Sequence, residues 1–123
     1  MTDGDRRTKS NIGLINQRYI FALIGNGQKL EIVSNYDRFR HSVPFSFKTN
    51  IWYTLKTRVD ILEDGTGMIR AKAWPKSAEE PDQWTIEVAH ETPHLQGAPG
   101  VYAMSPQSKK KVYFDNLSIR YNN

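Results

Sequence analysis

Trp52–Leu62, WYTLKTRVDIL, is answered at Met68–Trp74 by MIRAKAW, and Glu63-Asp-Gly-Thr-Gly67 lies between them. Both stretches alternate with a period of two, the repeat of a strand with one face buried. Tyr53, Leu55, Val59 and Ile61 fall on one side of the first, and Thr54, Lys56, Arg58 and Asp60 on the other. In the second, Ile69, Ala71 and Ala73 alternate against Arg70, Lys72 and Trp74. The intervening residues are turn formers, so the pair reads as an antiparallel hairpin. Pro75 ends it, because proline has no N–H to give the ladder.

The same period extends outward in both directions. Arg18–Ile24 places Tyr19, Phe21 and Leu23 on one face, and Lys29–Ser34 places Leu30 and Ile32 on one face. Gly25-Asn-Gly-Gln28 joins them, and its Asn-Gly pair predicts a hairpin turn because both residues tolerate positive φ. Shorter strands are expected at Ile12–Asn16, Ser42–Phe47, Trp84–His90 and Val101–Met104. Pro44 marks its strand as an edge or a bulge. A closing strand is expected over Val112–Tyr121. Its apolar phase shifts between Phe114 and Leu117, the signature of a β-bulge at Asp115-Asn116. No segment carries the caps and 3.6-residue period of a three-turn helix. The expected fold is all-β: a two-sheet antiparallel jelly-roll sandwich.

Composition narrows the classes. The 123 residues suit one domain, and 38% apolar content is too high for a disordered chain. Met1–Ser10 is polar and charged, with no apolar stretch of the signal-peptide kind, and reads as a disordered tail before a domain over 11–123. No apolar run approaches the roughly 18 residues of a membrane helix. The chain has no cysteine, which excludes disulfides and thiolate metal sites. The net charge is +4, and the one basic run, Lys109-Lys110-Lys111, reads as a solvated turn. The other cations are scattered among 13 acids, so a nucleic-acid partner is not expected.

Several ordered pieces then bear on kinship: Asn11-Ile-Gly-Leu-Ile-Asn-Gln-Arg-Tyr19, Gly25-Asn-Gly-Gln-Lys-Leu-Glu31, Asn50-Ile-Trp-Tyr-Thr-Leu-Lys56, Ala71-Lys-Ala-Trp-Pro75, Glu80-Pro-Asp-Gln-Trp84, Gly97-Ala-Pro-Gly-Val-Tyr102 and Tyr113-Phe-Asp-Asn-Leu117. Together, over about residues 11 to 121, they resemble the concanavalin A-like lectin/glucanase (laminin-G-like) jelly-roll domains of bacterial multidomain proteins. The resemblance implies a carbohydrate-binding or accessory module, extracellular or periplasmic, whose partners are a glycan or neighbouring domains of a parent protein. It also implies that leading strands common in that family lie outside this chain.

Three constellations bear on chemistry. His90-Glu-Thr-Pro-His94 has the letters of the zinc-protease motif, but that motif needs a helix to set both histidines on one face. Pro93 would break such a helix, and the residues before it alternate as a strand, so the match reads as a loop. A glycosidase needs two carboxyl groups flanking the scissile bond. Glu79-Glu-Pro-Asp82 and the acids around Asp60, Glu63 and Asp64 read instead as solvated turns, and no catalytic residue is expected. Asp115 is a candidate ligand for a structural calcium ion by the resemblance. A hydrogen bond at the bulge is the competing reading, and no other cofactor is expected.

The candidate ligand surface comprises Trp74, Arg70, Lys72, Trp52, Lys56 and Arg58. Alternation turns five of these away from the core side of the hairpin. Flat indoles suit apolar sugar faces, and long donors suit hydroxyls. Trp74 could equally anchor a loop, and Trp84, in phase with Ile86 and Val88, reads as core. Like charges opposite one another are destabilising, so this face should gather acids: Glu87 on a neighbouring strand, or an acidic ligand such as a uronate.

Overall fold

A computed structural model describes residues 10–34, 38–104 and 113–120. The expected tail Met1–Lys9, the Lys109–Lys111 run, and Val112 and Tyr121 of the expected closing strand lie outside the described residues. Ser10, placed in the tail by the sequence reading, is fully buried.

The described residues form eight strands and no helix: β1 (Asn11–Asn16), β2 (Tyr19–Ile24), β3 (Lys29–Ser34), β4 (Arg40–Pro44), β5 (Tyr53–Ile61), β6 (Gly67–Pro75), β7 (Ile86–His90) and β8 (Gly100–Met104). They make two antiparallel sheets, ordered β4-β3-β2-β1-β8 and β5-β6-β7. The expected two-sheet sandwich is therefore the observed one. The first four strands meander, the next three meander, and β8 returns to pair with β1.

The inward faces are those the alternation gives. Tyr19, Phe21 and Leu23 of β2 and Leu30 and Ile32 of β3 meet Ile69, Ala71 and Ala73 of β6, Val59 of β5 and Ile86 of β7 in one buried cluster. At roughly 25 cal/mol per Å² of apolar surface removed from water, these side chains are the main source of stability. Gly13 belongs to the same logic: a Cβ there would lie 1.9 Å from the Phe21 carbonyl oxygen, so only glycine lets β1 approach β2.

The turns depart from expectation. At Gly25–Gln28 the positive φ falls on Gln28 (49°), not on the Asn-Gly pair. Ile24 pairs with Lys29, so the loop has four residues, a length usually built around a type I turn that can leave its last residue left-handed. Gln28 suits that place because its side chain donates to the Gly25 carbonyl (2.8 Å) and accepts from the Phe47 N–H (2.7 Å). The tight two-residue hairpin occurs instead at Gln17-Arg18, where both φ are positive (52° and 70°) and Asn16 faces Tyr19. Tertiary contact supports it: the Gln17 amide donates to the His94 carbonyl.

Three strand expectations are corrected. The Pro44 strand runs over Arg40–Pro44 rather than 42–47, as an edge strand that ends at its proline. The seventh strand begins at Ile86, because Thr85 uses its hydroxyl to accept from the Ala73 N–H and Trp84 turns away before it. The closing strand does not form over Tyr113–Arg120: this stretch has no ladder partner, all its residues are exposed, and Asn116 sits at φ 55°. The left-handed residue falls at the expected Asp115-Asn116 break, but there is no ladder for it to bulge from.

Candidate functional site

The three-stranded sheet turns Thr54, Lys56, Arg58 and Asp60 outward beside Met68, Arg70, Lys72 and Trp74, as the alternation predicts. The register sets like charges face to face: Lys56 opposite Lys72, and Arg58 opposite Arg70. Acids of the same chain resolve the conflict. Asp60 accepts from Arg58 (2.8 Å) and Arg70 (2.9 Å), and Glu87, across the ladder from Arg70, accepts from it as well. Glu80 reaches back from the loop after β6 to Lys56 (3.0 Å) and Lys72 (2.8 Å). Hydrogen bonding to Asp60, then its charge, raises the Arg58 pKa, and hydrogen bonds from Lys72 and Lys56 hold Glu80 below its ordinary value.

Lys72 is not a free donor. It is 5% exposed, gives a hydrogen bond to the Pro81 carbonyl (2.6 Å), and lies 4.9 Å from the Trp84 ring centre and 5.8 Å from that of Trp74. Trp84, expected in the core, instead helps roof a buried ammonium on the outer face. A cation over indole faces gains attraction of about 0.5–2 kcal/mol, more when desolvated. Arg70 and Lys72 thus belong to the sheet's internal wiring.

Four of the six candidates do share an opening. A cleft of about 800 Å³ wraps the free edge of β5, and Trp52, Lys56, Arg58 and Trp74 line it. Leu14, Leu55 and Val101 supply its apolar floor, and Tyr113–Leu117, Ser118 and Arg120 line it from the chain's last described stretch. Trp52 is 36% exposed at the rim. Its carbonyl accepts from the Lys76 N–H (2.9 Å), which extends the β5–β6 ladder by one step and sets Lys76 opposite Trp52. The sequence reading missed Lys76. Hairpin register would have found it, since Tyr53 faces Pro75 and the next pair out is Trp52 and Lys76. Lys48 and Glu80 also line the cleft, and nothing in the alternation points to them because they stand on loops. Asp115 lies on the same lining, on an exposed stretch.

No family model, no curated protein and no solved structure matches this chain. Its reading therefore rests on its own chemistry. Among the described residues, no group of three or more His, Cys, Asp or Glu is placed to hold a metal ion, and no helix is long and apolar enough to cross a membrane.

The His90-Glu-Thr-Pro-His94 letters have a different use. His90 ends β7, and His94 lies in an irregular stretch, with both side chains buried. The Tyr19 hydroxyl accepts from the His94 N–H (3.1 Å) and meets His90 Nδ1 (2.6 Å), while His94 Nε2 bonds the Ser34 hydroxyl (2.6 Å). Phe39 stacks on the His90 ring at 4.2 Å. These contacts clamp the loop after β7 over one end of the sandwich and bring buried polar atoms together with partners.

Proposed function

We propose that this protein is a non-catalytic carbohydrate-binding module, of the concanavalin A-like kind its motifs resemble, which takes its ligand in the cleft at the free edge of β5. The observation that carries this reading is that Trp52 and Trp74 line one opening together with long polar side chains. Indole faces against sugar rings, with amines and carboxylates for the hydroxyls, are the elements of such a site. Glu80 supports the non-catalytic part. A glycosidase proton donor works with its pKa raised, whereas Glu80 is held low by two lysines and could serve only as the ionised carboxylate of such a pair. The test is affinity electrophoresis through soluble polysaccharides. Trp52→Ala with Trp74→Ala should abolish the retardation and leave the unfolding midpoint within a few degrees. Retardation that survives the double substitution would sink the reading.

A second reading, a docking domain of a larger protein, is favoured by the exposure of Val101 (43%) and Leu117 (54%) on the cleft lining. Apolar side chains gathered at one opening are what a covering partner would bury.

A further inference from the structure

The charge of the cleft names a class of ligand. Of its five lining cations, two are occupied: Lys56 by Glu80 and Arg58 by Asp60. The other three, Lys48, Lys76 and Arg120, are exposed and make no ion pair among the described residues. Against them the lining sets one further carboxylate, Asp115. Lys76 stands beside Trp52, and Lys48 is fixed at the neighbouring loop, where its N–H donates to the Tyr53 hydroxyl (3.0 Å). Beside the paired charges that it shares with the outer sheet, the cleft keeps a positive excess next to its exposed indole.

We infer that the cleft selects acidic polysaccharides, whose uronate carboxylates or sulfate esters meet Lys48, Lys76 and Arg120 while a sugar face lies on Trp52. The inference rests on the carbohydrate reading above and deepens it. A neutral glycan would leave three cations without counter-charge at the binding surface. An acidic one matches their sign, and a cleft whose lining carries an excess of cations raises the local concentration of such a ligand.

The experiment compares polygalacturonate and alginate with neutral xylan and laminarin, at low and high salt, using the whole chain. Expected is retention of the acidic polymers alone, lost largely between about 0.05 and 0.5 M salt as screening shortens the reach of the charges. Lys48→Glu with Lys76→Glu should weaken that retention about tenfold or more, because two exposed attractions become repulsions. Circular dichroism and the unfolding midpoint should stay those of the parent. Binding of neutral glycans that ignores both salt and the charge reversal would overturn the inference while leaving the carbohydrate reading intact. Binding to no glycan would overturn both. A thymidine oligomer held more tightly than polygalacturonate would overturn both in favour of a single-stranded nucleic acid.

Discussion

The two flanks of this sandwich are built from the same alternating pattern and differ in how well they close. On one flank β2 and β3 lie over β6 and β7, and Tyr19, Phe21, Leu30, Ile32 and Ile69 are wholly buried. On the other, β1 lies against β5, the edge strand of its sheet, and β8 is the strand beyond β1. Leu14 and Leu55 are half-buried there, and Val101, inward by register with Leu14, is 43% exposed. A five-stranded sheet facing a three-stranded one leaves part of its inner face without a roof. Alternation decides which face of a strand is apolar. Whether that face is buried depends on a strand opposite it, and the open flank is where the cleft and its tryptophans lie.

The largest expected effect sets the flanks against each other directly. Phe21→Ala should cost about 3–5 kcal/mol, the range for emptying a packed aromatic site, read from denaturant midpoints. Leu117→Ala and Ile119→Ala, at equally apolar positions of the open flank, should fall within about 0.5 kcal/mol of the parent. A large loss at Leu117 or Ile119 would mean that Tyr113–Arg120 is packed in solution, and the open flank would then be closed.

How much of this was legible follows the same division. The hairpin of β5 and β6 and the faces of β2 and β3 are written in period-two runs, long enough that local and tertiary preferences agree. The Arg70–Glu87 pairing was legible too, because like charges across a ladder demand an acid nearby. The turn at Gln17-Arg18 was not, since its positive φ is supported by His94, 77 residues away, rather than by its own side chains. Nor was the site of Trp84, which keeps strand phase in sequence but leaves the ladder where Thr85 caps it. The expected strand after Val112 has the right residues and, over its described part, no ladder to join. Of the ligand surface, alternation found the face and missed its occupancy: the loop carrying Glu80 and Pro81, which buries Lys72, has no period to read.

A second substitution probes how the closed flank is held at its end. Tyr19→Phe keeps the ring against Phe39 and the histidines but removes the acceptor of the His94 N–H and the partner of His90 Nδ1. Buried polar groups deprived of a partner cost roughly 1–3 kcal/mol. The loss should be local first: amide exchange should accelerate at His94 and its neighbours before the strands exchange. Unaltered exchange at His94 would show that the loop is held by Gln17 and Ser34 alone.

The smallest effect concerns pH, and it belongs to the border between the paired outer sheet and the open cleft. Glu80 is exposed, yet hydrogen bonds from Lys72 and Lys56 keep its pKa below the ordinary glutamate value. A carboxylate lowered in the folded state contributes stability that is complete above its unfolded-state pKa and disappears as pH falls through the folded one. Lowering the pH across the acid range should therefore weaken the hold of the 76–85 loop on Lys56 and Lys72. Glu80→Gln should lower stability slightly at neutral pH, and its stability should decline less steeply on acidification than the parent's, the two curves converging at the acid end. Parallel curves would show that solvent screens the Glu80 contacts completely. Lys72 would then be held by the Pro81 carbonyl and the two indoles, and the wiring of the outer face would stop one residue short of the cleft.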